Sequence, residues 1–405
     1  MKKVMLVAGG KWQVPLAKKI KELGHHLLCS NLYPDSPAFA YAEQSFVADV
    51  LNVERNMQIA QEHHIDAIVS DQSDISMHTV ASIAERLHLP SNGLAIADLF
   101  QDKIQMRQHC KTHGFYAPNF AACKTVEDAQ AFMQGKSKIV IKPQNSQASR
   151  GVFFVHTTNE LHEKFPISQS FAHGDKLVIA EEFMDGGTSD GREFTIDGIF
   201  INGKHHSLAI SKKRHYAYNK SIASELFFSM HDEEYNYEAF IEQNNRLMES
   251  TGAQMGLTHN EYKWHNGQFY LIEMSNRGGG NGISSHIVPV LSGVDNLAHY
   301  VRQAMGEKVD VLQKTLPTHP YAIMKFFEHS QFSNQDAFVI QSISGIEAVL
   351  AHPNVLDVCI NHSIGETMMR AQNGTNRPGY YIAFADSKEE LAEIDQYINR
   401  TIQVQ

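Results

Sequence analysis

Cysteine is scarce in this sequence, and the few cysteines are not arranged as metal ligands. The four cysteines among 405 residues are scattered along the chain, at Cys29, Cys110, Cys123 and Cys359. None belongs to a CxxC pair, and the three adjacent histidine pairs lack zinc-type spacing. Scattered thiols are typical of reduced cytosolic proteins and argue against a disulfide scaffold. We therefore expect a cytoplasmic protein without a zinc site.

Long apolar runs and an excess of positive charge are also missing. No apolar run has the length that crosses a membrane. The short run at the start stops at Gly9-Gly10, which favours a strand over a signal peptide. The formal net charge of −10 argues against binding to the phosphate backbone of nucleic acid. We expect neither nucleic acid nor a membrane as a partner, and the length suggests two or three domains.

The first part of the chain alternates between strands and helices. Apolar runs predict strands at 3–8, 25–30 and 66–70, and helical spacing predicts helices at 14–24, 53–64 and 75–88. Such alternation predicts a parallel α/β sheet that binds its ligand at the carboxyl ends of the strands. The first of these ends, GGKWQVP, lacks the GxGxxG fingerprint. A nicotinamide-dependent oxidoreductase is therefore disfavoured.

Near residue 120 the pattern changes from parallel α/β to antiparallel α+β. The small polar loop 145–152 lies between two predicted strands and is flanked by Lys142 and Arg150. Exposed backbone N–H groups beside two cations suit a phosphate group, although a plain hairpin loop fits the same residues. Further on, the basic cluster SKKRH (211–215) has two interpretations that stay open: a solvated loop, or a clamp for an anionic substrate.

Residues 256–286 carry two glutamates in a predicted hairpin, Glu261 and Glu273. Asn266-Gly267 is a turn signal, but a two-residue turn without a bulge would put the glutamates on opposite faces. A three-residue loop ending at Gly267 would make them diagonal neighbours on one face, roughly 7–8 Å apart. Two carboxylates at that spacing suit Mg²⁺, which completes its shell with water and phosphate oxygens. The alternative interpretation is an ordinary exposed hairpin with solvated charges.

Six segments occur in an order that resembles the ATP-grasp superfamily, specifically its carboxylate–amine ligases related to L-amino-acid ligases and biotin carboxylase. These segments are DKIQMR, IVIKP, ASRGV, IAEEFM, REFTIDG and LIEMSNRGGG. The resemblance covers nearly the whole chain. It implies a parallel α/β domain at 1–118, a small ATP-grasp lobe at 119–186, and a large lobe with a C-terminal subdomain at 187–405. The implied fold is α/β followed by α+β with antiparallel sheets.

The resemblance also implies an ATP site. Lys103 and Lys142 match the two lysines that reach the phosphates, and Ser149, Arg150 and Gly151 match the loop that folds over them. The hinge between the lobes would contact adenine, with Glu181 C=O and Met184 N–H bonding the base edge, so that side-chain identity at the hinge matters little. Glu193 matches the carboxylate that accepts hydrogen bonds from the ribose hydroxyls. The hinge residues are Glu181, Glu182, Phe183 and Met184.

The metal and the reacting groups follow from the same resemblance. Glu261 and Glu273 match the ligands of Mg²⁺, with Mn²⁺ as an alternative metal. The family often has asparagine two residues after the second glutamate, where this chain has Ser275 followed by Asn276. Ser275 is therefore the expected third ligand, with Asn276 as the rival. Arg277 matches the arginine that stabilises the acyl phosphate and the tetrahedral intermediate.

The function implied is an ADP-forming ligase. ATP phosphorylates a substrate carboxylate, and an amine then displaces phosphate from the acyl phosphate to give an amide. The partners are small carboxylate and amine substrates, and a homodimer is left open. The alternatives are a carboxylase or formate-using ligase of the same fold, and a non-catalytic ATP-binding regulatory module.

Overall fold

The computed structural model describes residues 1–146, 150–185, 192–374 and 376–405, without the side chains of Lys220 and Ser221. One predicted site residue, Ser149, lies outside the described residues. None of the helices in the described parts of the chain is long and apolar enough to cross a membrane.

The N-terminal part is a four-stranded parallel sheet in the order β3-β2-β1-β4. Its strands are β1 (Lys3–Val7), β2 (His26–Asn31), β3 (Gln44–Val47) and β4 (Ala67–Val69). Its helices are α1 (Val14–Glu22), α2 (Val53–His63), α3 (Asp74–Arg86), α4 (Leu94–Leu99) and α5 (Lys103–His113). Amphipathic spacing orients the helices: α1 buries Leu16 and Ile20 while Lys18 stays exposed.

A small antiparallel sheet follows, in the order β5-β8-β6-β7. Its strands are β5 (Phe120–Cys123), β6 (Ile139–Pro143), β7 (Phe153–Val155) and β8 (Val178–Glu182). Helices α6 (Val126–Met133) and α7 (Thr158–Ser170) pack with it in one apolar cluster. A capping box at Thr125 and Asp128 starts α6.

An eight-stranded sheet forms the large lobe, in the order β13-β12-β9-β10-β11-β14-β19-β17. Its strands are β9 (Glu193–Ile201), β10 (Lys204–Tyr216), β11 (Asn219–Ser229), β12 (Gly256–His265), β13 (Gln268–Ser275), β14 (Tyr321–Phe326), β17 (Val355–Ile360) and β19 (Gly379–Ala385). The short strands β15 (Ala337–Val339) and β18 (Thr367–Met369) pair with each other, as do β16 (Ile343–Ser344) and β20 (Gln403–Val404). The remaining helices are α8 (Tyr237–Ser250), α9 (Val288–Ser292), α10 (Asn296–Ala304), α11 (Ile346–Leu350) and α12 (Lys388–Thr401). The expected fold class, parallel α/β followed by antiparallel α+β, is confirmed.

The cores join the parts of the chain rather than separate them. One apolar cluster contains Leu16 and Ile20 of α1 together with Leu257 of β12 and Val301 of α10. In another, Met106 of α5 packs with core residues of the large lobe. Each of the three predicted domain ranges contains one of the sheets with four or more strands. Helix α5 belongs to the predicted N-terminal range, but its apolar residues pack against the large lobe. The N-terminal domain is therefore held firmly against the sheet that carries the candidate site.

The basic cluster 211–215 was predicted as either a loop or a clamp, and the loop interpretation is wrong. These residues continue strand β10, which pairs with β9 on one side and β11 on the other. Alternation along the strand points Lys213 into the protein, where it is buried, and leaves Arg214 exposed. The sequence could not show this burial, because the strands that cover these residues, β9 and β11, are known only from the sheet pairing. Without them, a run of charged residues has the composition of an exposed loop.

We predict that the aromatic layer behind the large sheet carries much of its stability. Phe240 of α8 is fully buried and stacks on Phe269 of β13, with ring centroids 3.9 Å apart. Phe240→Ala should cost about 3–5 kcal/mol through lost burial and the cavity left behind. Denaturant unfolding followed by tryptophan fluorescence measures it. The control is Phe171→Ala, because Phe171 is 37% exposed, and an equal loss in both variants would contradict the prediction.

Candidate active site

The candidate site lies on one face of strands β9, β10, β12 and β13. Register places Glu193 between Lys213 on β10 and Lys263 on β12. Two residues along β9, Thr195 lies beside Glu261, and a further two residues along, Asp197 lies beside His259. Because side chains two apart on a strand share a face, these groups form rows across the sheet. The row arrangement brings alternating acids and bases together.

A β-bulge decides the placement of the two glutamates. The hairpin closes through a two-residue turn at Asn266 and Gly267, with φ of 49° and 77°. The predicted three-residue loop and diagonal spacing are therefore wrong. Instead, Glu261 pairs directly with Glu273, and Ile272 is the extra residue that shifts the register. The two glutamates can lie on one face of the sheet only if the hairpin contains one extra residue. That residue is Ile272 in strand β13, and not a third residue of the turn.

The bulge is fixed by a buried arginine that sequence reasoning did not assign. Arg107 of α5 is 1% exposed, and its Nη2 donates to Ile272 O at 2.6 Å. Its Nε donates to Glu181 Oε1 at 2.7 Å. Arg107 is the last residue of the DKIQMR segment, so it belongs to a motif that the sequence analysis had singled out. Its contacts with strands β8 and β13 are visible only in the folded structure.

A cavity of about 180 Å³ lies between the small lobe and this sheet face. Its apolar walls come from Val140, Val152, Phe154, Phe183, Met184 and Ile272. Its charged lining comes from Lys103, Lys142, Glu181, Glu182, Glu193, His215, Glu261, Lys263 and Glu273. An apolar slot with charged groups at its ends is a suitable shape for a flat base linked to phosphates. The structure thus brings together most of the predicted nucleotide-binding residues.

The two predicted lysines are held by carboxylates. Lys103 Nζ lies 2.8 Å from Glu273 Oε1, and it also donates to Ser146 O at 3.0 Å. Lys142 Nζ lies 2.6 Å from Glu181 Oε2. Both ammonium groups are nearly buried, so these contacts keep charged groups compensated away from water. Phosphate oxygens arriving in the cavity would find both lysines already oriented.

At the predicted hinge, the side chain of Glu181 lies between two cations. Burial alone would raise the pKa of Glu181, but the charges of Arg107 and Lys142 outweigh it and hold the pKa below its usual value. The contact of its backbone C=O with adenine stays a prediction. Glu182 instead accepts from the backbone and side chain of Asn119, and Lys138 Nζ lies 3.7 Å from the Phe183 ring centroid.

Glu193 lies at the other end of the cavity, among three basic side chains. His215 Nε2 lies 3.2 Å from Glu193 Oε2, and Lys263 Nζ lies 3.5 Å from Oε1. Burial would raise the pKa of Glu193, but His215, Lys213 and Lys263 together lower it. The carboxylate therefore stays ionised and can accept hydrogen bonds from hydroxyl groups.

The Glu261–Glu273 pair has the donor chemistry of a magnesium site. Lys213 Nζ lies 2.8 Å from Glu261 Oε1, and His259 Nε2 lies 3.6 Å from the same oxygen. Burial would raise the pKa of Glu261, but these partners lower it well below its usual value. Among the described residues no group of three or more His, Cys, Asp or Glu side chains could hold a metal unaided. Two directly paired glutamates fit Mg²⁺ when phosphate oxygens and water complete its shell.

Neither candidate for the third ligand is placed clearly at that pair. Ser275 is 3% exposed, and its hydroxyl hydrogen-bonds to Asp74. Asn276 faces away and lines a small pocket with Asn92 and Tyr300. Alternation along β13 separates the two residues, so only Ser275 shares the face of Glu273.

Arg277 is bound by the N-terminal domain. Its Nε and Nη2 donate to Asp74 Oδ1 and Oδ2 at 2.8 and 2.6 Å, in a two-pronged pair at the start of α3. Burial would lower the pKa of Arg277, but Asp74 and then Glu273 raise it above its usual value. The arginine therefore stays charged in a nearly buried position, and its orientation depends on contact between two parts of the chain.

The glycines after Arg277 let the backbone approach two buried carboxylates. Gly278 N donates to Asp71 Oδ1 and Gly279 N donates to Asp197 Oδ1, each at 2.9 Å. A Cβ on Gly279 would lie 2.5 Å from Asp197 Oδ1, so no larger residue fits without displacement. Asp71, Asp74, Asp197 and His259 were not predicted as part of this site, because only tertiary contacts bring them to the segment.

Comparison with known families identifies two regions. Residues 136–285 match the profile of the ATP-grasp domain, and residues 339–405 match that of L-amino acid ligase C-terminal domain 2. An uncharacterized protein of Sinorhizobium fredii is 23% identical over 326 residues, which cover 78% of this chain and 64% of the relative. A formate-dependent phosphoribosylglycinamide formyltransferase of Synechococcus is 24% identical over 191 residues. That match covers 45% of this chain and 48% of the relative.

Solved structures share the fold over the full length of the chain. An L-amino acid ligase from Bacillus licheniformis superposes with a TM-score of 0.81 at 20% identity, over 100% of this chain and 98% of that one. The biotin carboxylase domain dimer of the Hydrogenobacter thermophilus 2-oxoglutarate carboxylase, in complex with MgADP and bicarbonate, has a TM-score of 0.73 at 15% identity. That match covers 100% of this chain and 90% of the other. The predicted architecture is therefore confirmed from end to end.

We predict that the buried Arg107 stabilises the hinge. Arg107→Met removes one of two cations from a buried carboxylate and releases Ile272 O, so it should cost about 3–5 kcal/mol. Thermal and denaturant unfolding measure this loss. Arg86→Met is the matched control, because Arg86 pairs with Glu54 at the surface and its loss should have no measurable effect. A fully stable Arg107→Met variant would contradict the prediction.

Proposed function

Because the chain belongs to the ATP-grasp superfamily and ends in a domain that matches the L-amino acid ligases, we propose that it is an ADP-forming ligase that joins two amino acids. One amino acid supplies the carboxylate and the other supplies the amine. The observation that carries the proposal is the direct pairing of Glu261 with Glu273 at the charged end of an apolar cavity that also receives Lys103 and Lys142.

The cavity supports a nucleotide in one orientation. The apolar walls, with Phe183 and Met184 at the hinge, would enclose adenine, and Glu193 would accept from the ribose hydroxyls. Lys103 and Lys142 would then contact the phosphates. Gly151 belongs to the phosphate loop, and its φ of +73° and the closeness of Pro143 favour glycine there. Together with Arg150 and Ser149, it would cover the phosphates.

Glu261 and Glu273 would hold Mg²⁺, and Mn²⁺ has the ligand preferences to replace it. When bound, the metal would neutralise phosphate charge and orient the phosphoryl group for transfer. The chain itself supplies two lysines that now lie 2.8 Å from these carboxylates, Lys103 and Lys213. Their ammonium groups are ion-paired with the carboxylates and would turn to the phosphates on binding. Ser275 remains the proposed third ligand on its side of the strand.

Arg277 would stabilise the acyl phosphate. Its guanidinium is fixed by Asp74 and stays charged, so it can meet negative charge that develops on the carbonyl oxygen and phosphate. Gly278 to Gly282 would let the substrate lie close to the backbone. Catalysis in this scheme depends on positioning and charge stabilisation rather than on a nucleophilic side chain.

The C-terminal domain favours amino acids over formate or bicarbonate. The formyltransferase match covers 45% of this chain, whereas residues 339–405 match the amino acid ligase domain. We also propose a cytoplasmic location, supported by four free cysteines. A homodimer stays a prediction, to be checked by sedimentation.

The first test is a screen of ADP release across pairs of amino acids, with formate and bicarbonate as separate arms. Glu273→Gln should lower magnesium-dependent turnover at least about 100-fold, because it removes one ligand charge and leaves Lys103 without its partner. Glu393→Gln, an exposed residue of α12, is the control. Full activity in Glu273→Gln would contradict the metal assignment, and ADP release with formate alone would favour the formate-using class.

The second test concerns the phosphate lysine. Lys142→Met should weaken ATP binding about 10–100-fold, since hydrogen bonds to charged groups contribute about 1.5–3 kcal/mol. Titration calorimetry with a non-hydrolysable ATP analogue measures it. Lys111→Met, on the exposed side of α5, should bind normally. Unchanged affinity in Lys142→Met would refute this placement of the phosphates.

A further inference from the structure

A second and larger cavity adjoins the nucleotide cavity. It has a volume of about 580 Å³ and lies between α3 and α4 of the N-terminal domain and the phosphate loop of the small lobe. Ser146 and Glu273 line both cavities. A volume of this size is sufficient for an amino acid substrate. The proposed function assigns no role to most of its wall.

The junction of the two cavities is where the acyl phosphate would form. Glu273 marks the phosphate end of the nucleotide cavity, and Arg277 binds Asp74, which lines the second cavity. Phosphoryl transfer places the entering and leaving oxygens roughly in line, so the substrates approach from the side away from ADP. The second cavity shares Glu273 and Ser146 with the nucleotide cavity, so a substrate bound in it would lie beside the transferred phosphoryl group.

One wall of this cavity holds a histidine–carboxylate pair. His78 of α3 lies four residues after Asp74, so both face the same side of the helix. His78 Nδ1 lies 3.0 Å from Asp98 Oδ1, and both side chains are nearly half exposed. The hydrogen bond to Asp98 uses Nδ1, so Asp98 orients the ring and leaves Nε2 as the second ring nitrogen. His78 is therefore oriented so that Nε2 can exchange a proton with a ligand.

The other carboxylates of the wall already have strong partners. Asp74 accepts two hydrogen bonds from Arg277, and Glu273 is bonded to Lys103. Asp102 caps α5 and also accepts from Gln144 Nε2 at 2.6 Å. These bonds already occupy oxygen atoms of each carboxylate. The His78–Asp98 pair differs because its hydrogen bond uses only one of the two ring nitrogens of the imidazole.

We propose that this cavity holds the amine substrate and that His78, oriented by Asp98, is the general base of amide formation. The inference rests on the proposed function. An amino acid arrives mainly as an ammonium ion, since the pKa of an α-amino group is roughly 7.7–8.0. Its nitrogen cannot attack until it has lost a proton, and His78 Nε2 accepts that proton.

The proposed step is balanced as follows. The free nitrogen lone pair forms a C–N bond to the carbonyl carbon of the acyl phosphate, and the C–O bond to phosphate breaks. Phosphate leaves with the electron pair and takes the second nitrogen proton as HPO₄²⁻. The imidazolium of His78 then releases its proton to solvent. No oxidant, reductant or further reactant is needed.

The experiment compares two nucleophiles in the same holoenzyme with ATP and Mg²⁺. Hydroxylamine is largely unprotonated at neutral pH and traps an acyl phosphate as a hydroxamate, so it has no need of a base. His78→Gln should lower amide formation with an amino acid amine about 10²–10⁴-fold, while hydroxamate and ADP formation stay within about twofold. Asp98→Asn should show the same selective loss, smaller in size. The matched control is His162→Gln, an exposed histidine of α7 outside both cavities, which should keep both activities.

The outcomes separate this inference from the proposed function. Equal loss of amide and hydroxamate in His78→Gln, unchanged amide formation, or a selective loss in His162→Gln would each overturn the role of His78. Circular dichroism of each variant distinguishes misfolding, which would lower the two products together. If the wild type forms no hydroxamate with any amino acid in a complete panel, the proposed function fails and this inference fails with it.

Discussion

One additional residue in strand β13 determines the geometry of the whole site. Without Ile272 as a bulge, the two-residue turn at Asn266-Gly267 would place Glu273 on the face opposite Glu261. With it, the two carboxylates are direct cross-strand partners. Arg107 fixes the bulge by binding Ile272 O, and the same arginine binds Glu181 at the hinge. A single buried side chain thus joins helix α5 to strand β8 and to the strand that carries Glu273.

The site also depends on charge compensation. Glu181, Glu193, Glu261 and Glu273 each lie beside a lysine, arginine or histidine, in places where an unpaired charge would be costly. The pairing keeps Glu181, Glu193 and Glu261 ionised, as their lowered pKa values indicate. It also holds lysine ammonium groups beside the proposed position of the phosphate groups. The same contacts therefore compensate the charges of the protein and orient cations toward an anionic ligand.

Contact between the N-terminal domain and the large lobe orients Arg277 and the glycine segment that follows it. Asp74 orients Arg277, and Asp71 bonds the backbone of Gly278. Both acids lie at the carboxyl end of β4 or the start of α3, where parallel sheets present their ligand-binding residues. The two cavities meet at Glu273, so the proposed nucleotide and amine sites share one wall.

The sequence by itself determined the fold class, the order of the segments and the candidate glutamates, lysines and arginine. Local signals were sufficient for these because apolar periodicity, turn residues and short motifs each depend on neighbouring residues only. The tertiary structure decided the rest: the bulge at Ile272, the burial of the basic cluster at Lys213, the role of Glu181, and the partners Arg107, Asp71 and Asp74. Those features depend on register between strands and on contacts between residues far apart in the chain. No local pattern could reveal them, since a charge becomes part of a site only when folding brings its partner within a few ångströms.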